Sequence, residues 1–380
     1  MWFVSLQMVS PTSGWALRWA TDPADPSGAP VLAPSRTSDG GRTWGDVTPP
    51  QAHPLLSPLD TYGTLYALDE KDAWFAVSLM RSGRQPHTTV FSTVDGGRNW
   101  ASASFASLGT PRFLDFVDAR HGWLLTDLGA EMGNNVVAIF ATSGGGRRWS
   151  LASRTIGWKA FESPTGRLPR SRPGELPVYG DKTGMTFASP TTGWVTMDLV
   201  AGTHNLEVSH DDGRTWAAQL LPSRVAMRLS AGGDGSEAVA PQFFGRHGFL
   251  VLYVGPKKPF LLRSSDGGTI WTRATLPAGA GGYPVVWFVD ARQGFLLEGG
   301  TSGSLGAHFY RTSDAGHTWT RVPTALRFSQ LERPSFDFVS PKVVFAWTTG
   351  DDEPGASPPP LYETSDGGRT WQRIVPEVSN

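Results

Sequence analysis

Two kinds of side chain in this sequence could do chemistry where the fold brings them together. Arg81, Arg84, Arg112, Arg154, Arg167, Arg170, Arg172 and Arg333 lie in or beside the connections between predicted strands. A guanidinium is a planar fork that grips carboxylate or phosphate through two bonds, where Lys presents a point charge. Asp22, Asp25, Asp127, Glu131, Asp198, Glu298, Asp351 and Asp352 occupy similar stretches. Two carboxylates roughly 5–9.5 Å apart would serve glycoside cleavage as acid and base or nucleophile. Any one of them alone reads as a solvated loop charge.

Other chemistries have little to work with. The 8 His are scattered without H-E-x-x-H spacing, Cys is absent, and no G-x-S-x-G elbow or Walker loop occurs. Gly299 to Gly306 is Gly-rich but precedes no helix, so it does not read as a phosphate loop. No metal and no cofactor are expected. With 33 basic and 34 acidic residues the formal charge is −1, which gives no global field for nucleic acid. No apolar run reaches the roughly 18 residues of a bilayer span, so no membrane insertion is expected.

The elements that must position these groups come from a repeat. The stretch 37–44, TSDGGRTW, returns six more times, ending at Trp100, Trp149, Trp216, Trp271, Trp319 and Trp371. Its Asp can accept bonds from the backbone of its own turn, its Gly tolerates positive φ, and its Trp opens the next apolar run. Asp39, Asp95, Asp211, Asp266, Asp314 and Asp366 therefore read as structural, because equivalent turns spread through a repeat cannot converge on one substrate. The third copy has Gly144 in place of Asp, and the fifth has Ile270 in place of Thr. A second signature, a small residue and an aromatic opening an apolar run, precedes each copy: Trp15, Trp74, Trp123, Trp194, Phe249, Phe295 and Phe345. Seven units of four short strands each follow, and four-stranded sheets repeated radially make a propeller.

The motif S/T-x-D-x-G-x-T-W resembles the Asp box, or BNR repeat, of sialidases and of the photosystem II assembly-factor propellers. The resemblance implies an all-β, seven-bladed β-propeller of four antiparallel strands per blade, with Asp boxes at the C-to-D turns. One domain, 1–380, is expected, with blades at about 1–50, 60–105, 110–154, 184–222, 238–277, 283–325 and 334–377. The first and last blades are expected to meet through side-chain packing alone. In the family the D-to-A and B-to-C connections share one face, here called the top. From each box Trp to the next strand-opening aromatic the spacing ranges from 23 to 45 residues, so variation gathers on that face. Sialidases bind a carboxylate with an Arg triad and carry an Arg-Ile-Pro motif before their first box; only Gly166-Arg167-Leu168-Pro169 echoes it, after the third box.

The longest connection, 154–184, is rich in Pro, Gly and Arg and has no strand pattern. It is expected to fold over the top face and to offer Trp158, Arg167, Arg170, Arg172 and Tyr179 to a ligand, with Arg81, Arg112, Arg333, Asp127 and Asp198 nearby. An aromatic platform with arginines suits a carbohydrate, an anionic ligand or a protein segment. The function read from these residues is a non-catalytic ligand- or protein-binding scaffold. The alternative is a sialidase-like or other glycoside hydrolase using the top-face carboxylates and arginines. A monomer is expected. The resemblance implies a secreted or extracytoplasmic setting, as a mature or trimmed form.

Overall fold

The computed structural model describes residues 2–20, 30–56, 61–79, 87–107, 109–131, 134–155, 174–199, 206–222, 225, 236–254, 259–277, 284–298, 308–324, 334–348 and 360–379. Two compact units divide the chain. One comprises Met1–Pro111, Gly144–Arg148 and Val322–Asn380, the other Arg112–Ser143 and Trp149–Arg321. Among the described residues the regular structure is strand, save for the 3-10 helix Pro50–Leu55 and the helical position Val225.

Three sheets make up the first unit. Trp2–Met8, Gly14–Ala20, Val31–Thr37 and Thr43–Asp46 pair in chain order, as do Thr61–Ala67, Ala73–Leu79, His87–Thr93 and Ala101–Ala106. Pro334–Phe338, Val344–Thr348, Leu361–Thr364 and Gln372–Ile374 form the third. All these pairings are antiparallel meanders, which short turns permit. The expectation of closure by side chains alone is corrected here: Glu377–Ser379 adds to the first sheet as a fifth strand, parallel to Thr43–Gly45. An open sheet edge presents unpaired N–H and C=O groups, and an extended tail satisfies them, beginning with Glu377 N–H donating to Arg42 O at 2.9 Å. At the inner strands, side chains do link the same two sheets, because the buried Asp337 carboxylate accepts the Met8 N–H.

The second unit repeats the pattern. Thr110–Phe116, Gly122–Glu131, Asn134–Thr142 and Ser150–Arg154 form one sheet, and Val285–Phe288, Gly294–Leu297, Phe309–Thr312 and Thr320–Val322 another. Between them lies a nine-stranded sheet containing two such sets. Asp181–Phe187, Gly193–Leu199, Leu206–Ser209 and Ala217–Ala218 form the first. Gln242–Phe244, His247–Val254, Pro259–Ser264 and Thr272–Ala274 form the second. Ser236–Ala238 joins them, pairing with the end of Gly193–Leu199 and the end of His247–Val254.

Successive sheets lock through one recurring contact. Phe187 stacks on Trp123 of the preceding sheet, with centroids 3.6 Å apart and planes 3° apart, and Phe288 stacks on Phe249 at 3.5 Å. The other face of each Phe lies against a glycine of its own sheet: a Cβ on Gly193 would meet Phe187 at 2.3 Å, and one on Gly294 would meet Phe288 at 2.7 Å. The strand-opening Gly is thus the space that the Phe ring fills. In the second sheet Ala67 replaces Phe, the ring is gone, and Ala73 is accommodated.

The repeated turns have the wiring that their residues suggest. In the first, Thr37 Oγ1 donates to Asp39 Oδ1 at 2.9 Å and accepts Gly41 N–H at 3.0 Å. Asp39 also accepts the amides of Arg42 and Thr43, at 3.0 and 2.9 Å, and the Thr43 hydroxyl, at 2.6 Å. Asp314 is held down to about 2 by the Thr318 hydroxyl and amide, and Asp95 likewise by the Asn99 side chain and amide. Carboxylates so occupied are not acid–base catalysts. In the fifth turn Ile270 is 64 % exposed and supplies only its amide to Asp266, at 3.0 Å, while Trp271 Nε1 is buried without a partner among the described residues.

Two predictions follow from this wiring. Ile270→Thr restores a hydroxyl for Asp266 and removes an exposed apolar side chain, so it should raise the melting temperature; a variant that melts no higher than wild type contradicts the account. Burial pushes the Asp337 carboxyl up to about 7, against the opposing Met8 N–H bond. The unfolded chain ionises near an ordinary aspartate pKa of about 4. The stability contribution is therefore full below about pH 4 and is lost as pH rises to about 7. Asp337→Asn removes that loss, so the wild-type melting temperature should fall relative to the variant between pH 5 and pH 7.5, roughly the span of the shift. Parallel profiles would contradict it.

Candidate functional site

The groups with the most chemical potential lie in the second unit, at the sheet ends away from the Asp turns. Asp127 closes a bulge in Gly122–Glu131, where the register shifts between Asp127 and Ala130 and Gly129 takes φ 119°. That bend turns Asp127 so that it accepts Gly129 N–H at 2.8 Å, Asn135 Nδ2 at 2.9 Å and Arg112 Nη1 at 2.6 Å. Arg112 and Asp127, both read from the sequence as site residues, are therefore an ion pair with each other. Asn135 is fully buried and uses its other end to accept Lys182 N–H at 3.0 Å, tying this sheet to the next.

Lys182 is the centre of the network and has no exposed surface. Its ammonium donates to the carbonyls of Gly180 at 2.9 Å, Tyr179 at 3.1 Å and Asn135 at 3.5 Å. Burial pushes the amine down to about 7, while Asp181, Glu207 and Asp127 pull it back toward the charged form. Glu207, also buried, is pushed up to about 7 by desolvation, with Lys182 opposing. Tyr179 is half-buried and its phenol is raised, by burial first and by the charge of Glu207 second. A buried amine ringed by carbonyls is positioned to hold strands together; its lack of exposure keeps it from substrate.

On the other face of Asp181–Phe187 three carboxylates stand side by side. Asp181 pairs across the strands with Asp198, and Asp198 with Glu237, so the row crosses three neighbouring strands. Paired residues of antiparallel strands share a face, and like charges there repel. Glu237 is accordingly raised, by burial first and then by Asp198. Asp181 Oδ1 is buried with no hydrogen-bond partner among the described residues. Thr183 Oγ1 holds the row together, donating to Ala238 O at 2.6 Å, and Gly184 permits the close approach, since a Cβ there would meet Ala240 at 2.7 Å.

Over the part described, from 174 on, the long connection packs inward: Trp216 N–H donates to Gly174 O at 3.0 Å, Leu176 joins a core with Trp123, Ile139 and Trp216, and Val178 is buried. Of the residues expected at a binding surface, Trp158, Arg167, Arg170, Arg172, Arg81 and Arg333 lie outside the described residues. Arg112, Asp127, Tyr179 and Asp198 lie in or beside the network.

Lys182, Asn135, Glu207 and Glu237 lie on strands, outside the connections where site residues are expected from the sequence. Glu207 had a signal: it is the charged residue in Leu206–Ser209, whose every position is buried. Among the described residues no group of three or more His, Asp or Glu could hold a metal ion, and no helix is long and apolar enough to cross a membrane.

No protein-family model matches the sequence, and no curated protein does. Solved structures do. The chain is similar to a structure described as YCF48 bound to D1 peptide, with 15% identity, 91% of this chain and 90% of that one covered, and a TM-score of 0.51. It is similar to a prolyl endopeptidase at 9% identity and a TM-score of 0.57, covering 98% of this chain but only 49% of that one. An oligogalacturonate lyase in complex with manganese matches at 9% identity, over 96% and 89% of the two chains, with a TM-score of 0.54. At such identities the likeness shows the fold alone, and that fold is the β-propeller.

Asn135 is the residue whose loss tests the network. Asn135→Ala leaves the Lys182 amide and one side of Asp127 without partners and should cost about 2–3 kcal/mol. Urea titration measures this; a loss within about 0.5 kcal/mol, the range of ordinary surface changes, would mean that the network is not holding the sheets.

Proposed function

We propose that the chain is a seven-bladed Asp-box β-propeller acting as a non-catalytic binding scaffold, taking an extended protein segment at the sheet ends opposite its Asp boxes. Seven sets of four strands support the blade number, with the nine-stranded sheet counted as two blades joined by Ser236–Ala238. The observation that carries the binding reading is the row Asp181, Asp198 and Glu237 across three neighbouring strands, with Asp198 exposed and Glu237 partly so. Mutual repulsion along the row is relieved by a ligand rich in N–H groups and positive charge. A segment bearing Lys or Arg has that chemistry, opposite in charge to the ligand that the arginines of the long connection suggest. The likeness to YCF48, whose structure holds a D1 peptide, supports a protein segment as the class of ligand. A secreted or extracytoplasmic, monomeric protein remains part of the proposal on the family resemblance alone.

One observation favours a second reading, a glycoside hydrolase. Burial first and Asp198 second push Glu237 toward its neutral form, and a carboxyl held neutral beside another carboxyl is what the acid of glycoside cleavage needs. An array of 12-residue peptides graded in Lys and Arg content, together with a panel of polysaccharides, separates the two readings. Binding should rise with basic content and weaken about tenfold in Asp198→Asn with Glu237→Gln, the scale of one lost charged hydrogen bond. Release of reducing sugar abolished by Glu237→Gln would replace the scaffold reading with the hydrolase.

A further inference from the structure

A cleft of about 460 Å³ opens at the opposite end of the second unit, between the turn 264–271 and the turn 312–319. Its wall carries Arg263, Arg292, His247 and His317, with Ala291 and Ala315 as apolar surface and the buried Phe249 behind them. The one carboxylate there, Asp314, is committed to its own turn through Thr312 and Thr318. Asp290 lies near Arg292, but its oxygens are occupied by the amides of Arg292 and Gln293 and by the Gln293 side chain. The cleft is therefore lined by N–H donors and by two guanidinium groups, neither of which forms an ion pair among the described residues, although Arg292 feels the charge of Asp290.

Its composition is not what the repeat imposes. At the preceding junction between turns of the same unit, the four equivalent positions carry Thr192, Val208, Arg246 and Thr269. Ala315 also departs from the repeat: it holds φ 59° where Gly40, Gly96, Gly145, Gly267 and Gly367 stand in the corresponding turns. A Cβ in the left-handed region is unfavourable, and here it puts a methyl on the cleft wall. The Ala315 carbonyl meanwhile accepts Arg263 Nη1 at 3.4 Å, which steers that guanidinium along the wall.

We propose that this cleft binds a phosphorylated or sulfated molecule of about monosaccharide size, the oxyanion held by Arg263 and Arg292 and the carbon skeleton lying on Ala291 and Ala315. The volume falls within the usual range for small-ligand sites, and guanidinium forks suit tetrahedral oxyanions. The site is separate from the carboxylate row and does not depend on the scaffold reading.

Calorimetric titration of the whole protein with glucose 6-phosphate, glucose 6-sulfate and glucose, at constant ionic strength, tests it. At least one of the two esters should saturate with a Kd of about 1 mM or tighter, and glucose should not. Arg292→Ala and Arg263→Gln should each weaken that binding by about tenfold or more, while Arg373→Ala in the first unit leaves it unchanged. Melting curves establish that each variant is folded; should Arg263→Gln fail to fold, Arg292→Ala, which keeps the backbone bond from Ala315 N–H, decides alone. Absence of saturable ester binding, equal binding of glucose, or affinity unmoved in the folded variants would overturn the proposal.

Discussion

The packing of one phenylalanine ring between a glycine of its own sheet and an aromatic ring of the sheet before it is the contact on which the structure depends. Phe187 sits between Gly193 and Trp123, Phe243 between Gly248 and Trp194, and Phe288 between Gly294 and Phe249. Each contact joins two successive four-stranded sets, which for Trp194 and Phe243 are also bridged by the strand Ser236–Ala238. A flat ring on a flat ring with no Cβ beneath it leaves little freedom in spacing or tilt, so the repeat of the contact sets the repeat of the sheets. The Asp turns are secondary in this sense: they close each outer hairpin and cap it with a Trp that packs near the next contact, as Trp216 does against Phe187 at 6.3 Å.

That hierarchy explains what could be read from the sequence. The turns and the small-residue–aromatic signature are local patterns, so strand positions followed from them closely. In the third sheet Trp123 lies one residue into the strand Gly122–Glu131, and the turn that begins at Thr142 ends the strand Asn134–Thr142. The extension of Gly122–Glu131 past Asp127 carries no such local pattern, because the Asp127 bulge is a tertiary feature, stabilised by Arg112 and Asn135. Lys182 was hidden for a similar reason. A lysine at the start of a strand reads as solvated, and only the carbonyls of Tyr179, Gly180 and Asn135, brought together by the bend at 178–180, make burial tolerable. The tail strand Glu377–Ser379 is too short and too exposed to signal itself and exists because the edge Thr43–Gly45 is open.

Function follows from how the two ends of the sheets differ. At the Asp-turn end the carboxylates are saturated by their own turns, which leaves guanidinium and imidazole groups to face solvent. At the other end the charged groups come from strands: Asp181, Asp198 and Glu237 stand in a row, and Asp181 Oδ1 is buried with no hydrogen-bond partner among the described residues. Backbone register holds that row in place, since the three residues lie on neighbouring strands tied by Thr183. A rigid row of acceptors suits recognition of a donor-rich chain, and it is the feature that separates this molecule from a merely structural repeat.

Hydrogen–deuterium exchange with and without a saturating Lys- and Arg-containing peptide tests the central claim most directly, because it reports where the ligand lies without presuming its sequence. The account predicts slowed exchange at the amides of 181–184, 196–199 and 236–238, with the Asp turns unaltered. Protection confined to the Asp turns, or spread evenly over both units, would contradict it.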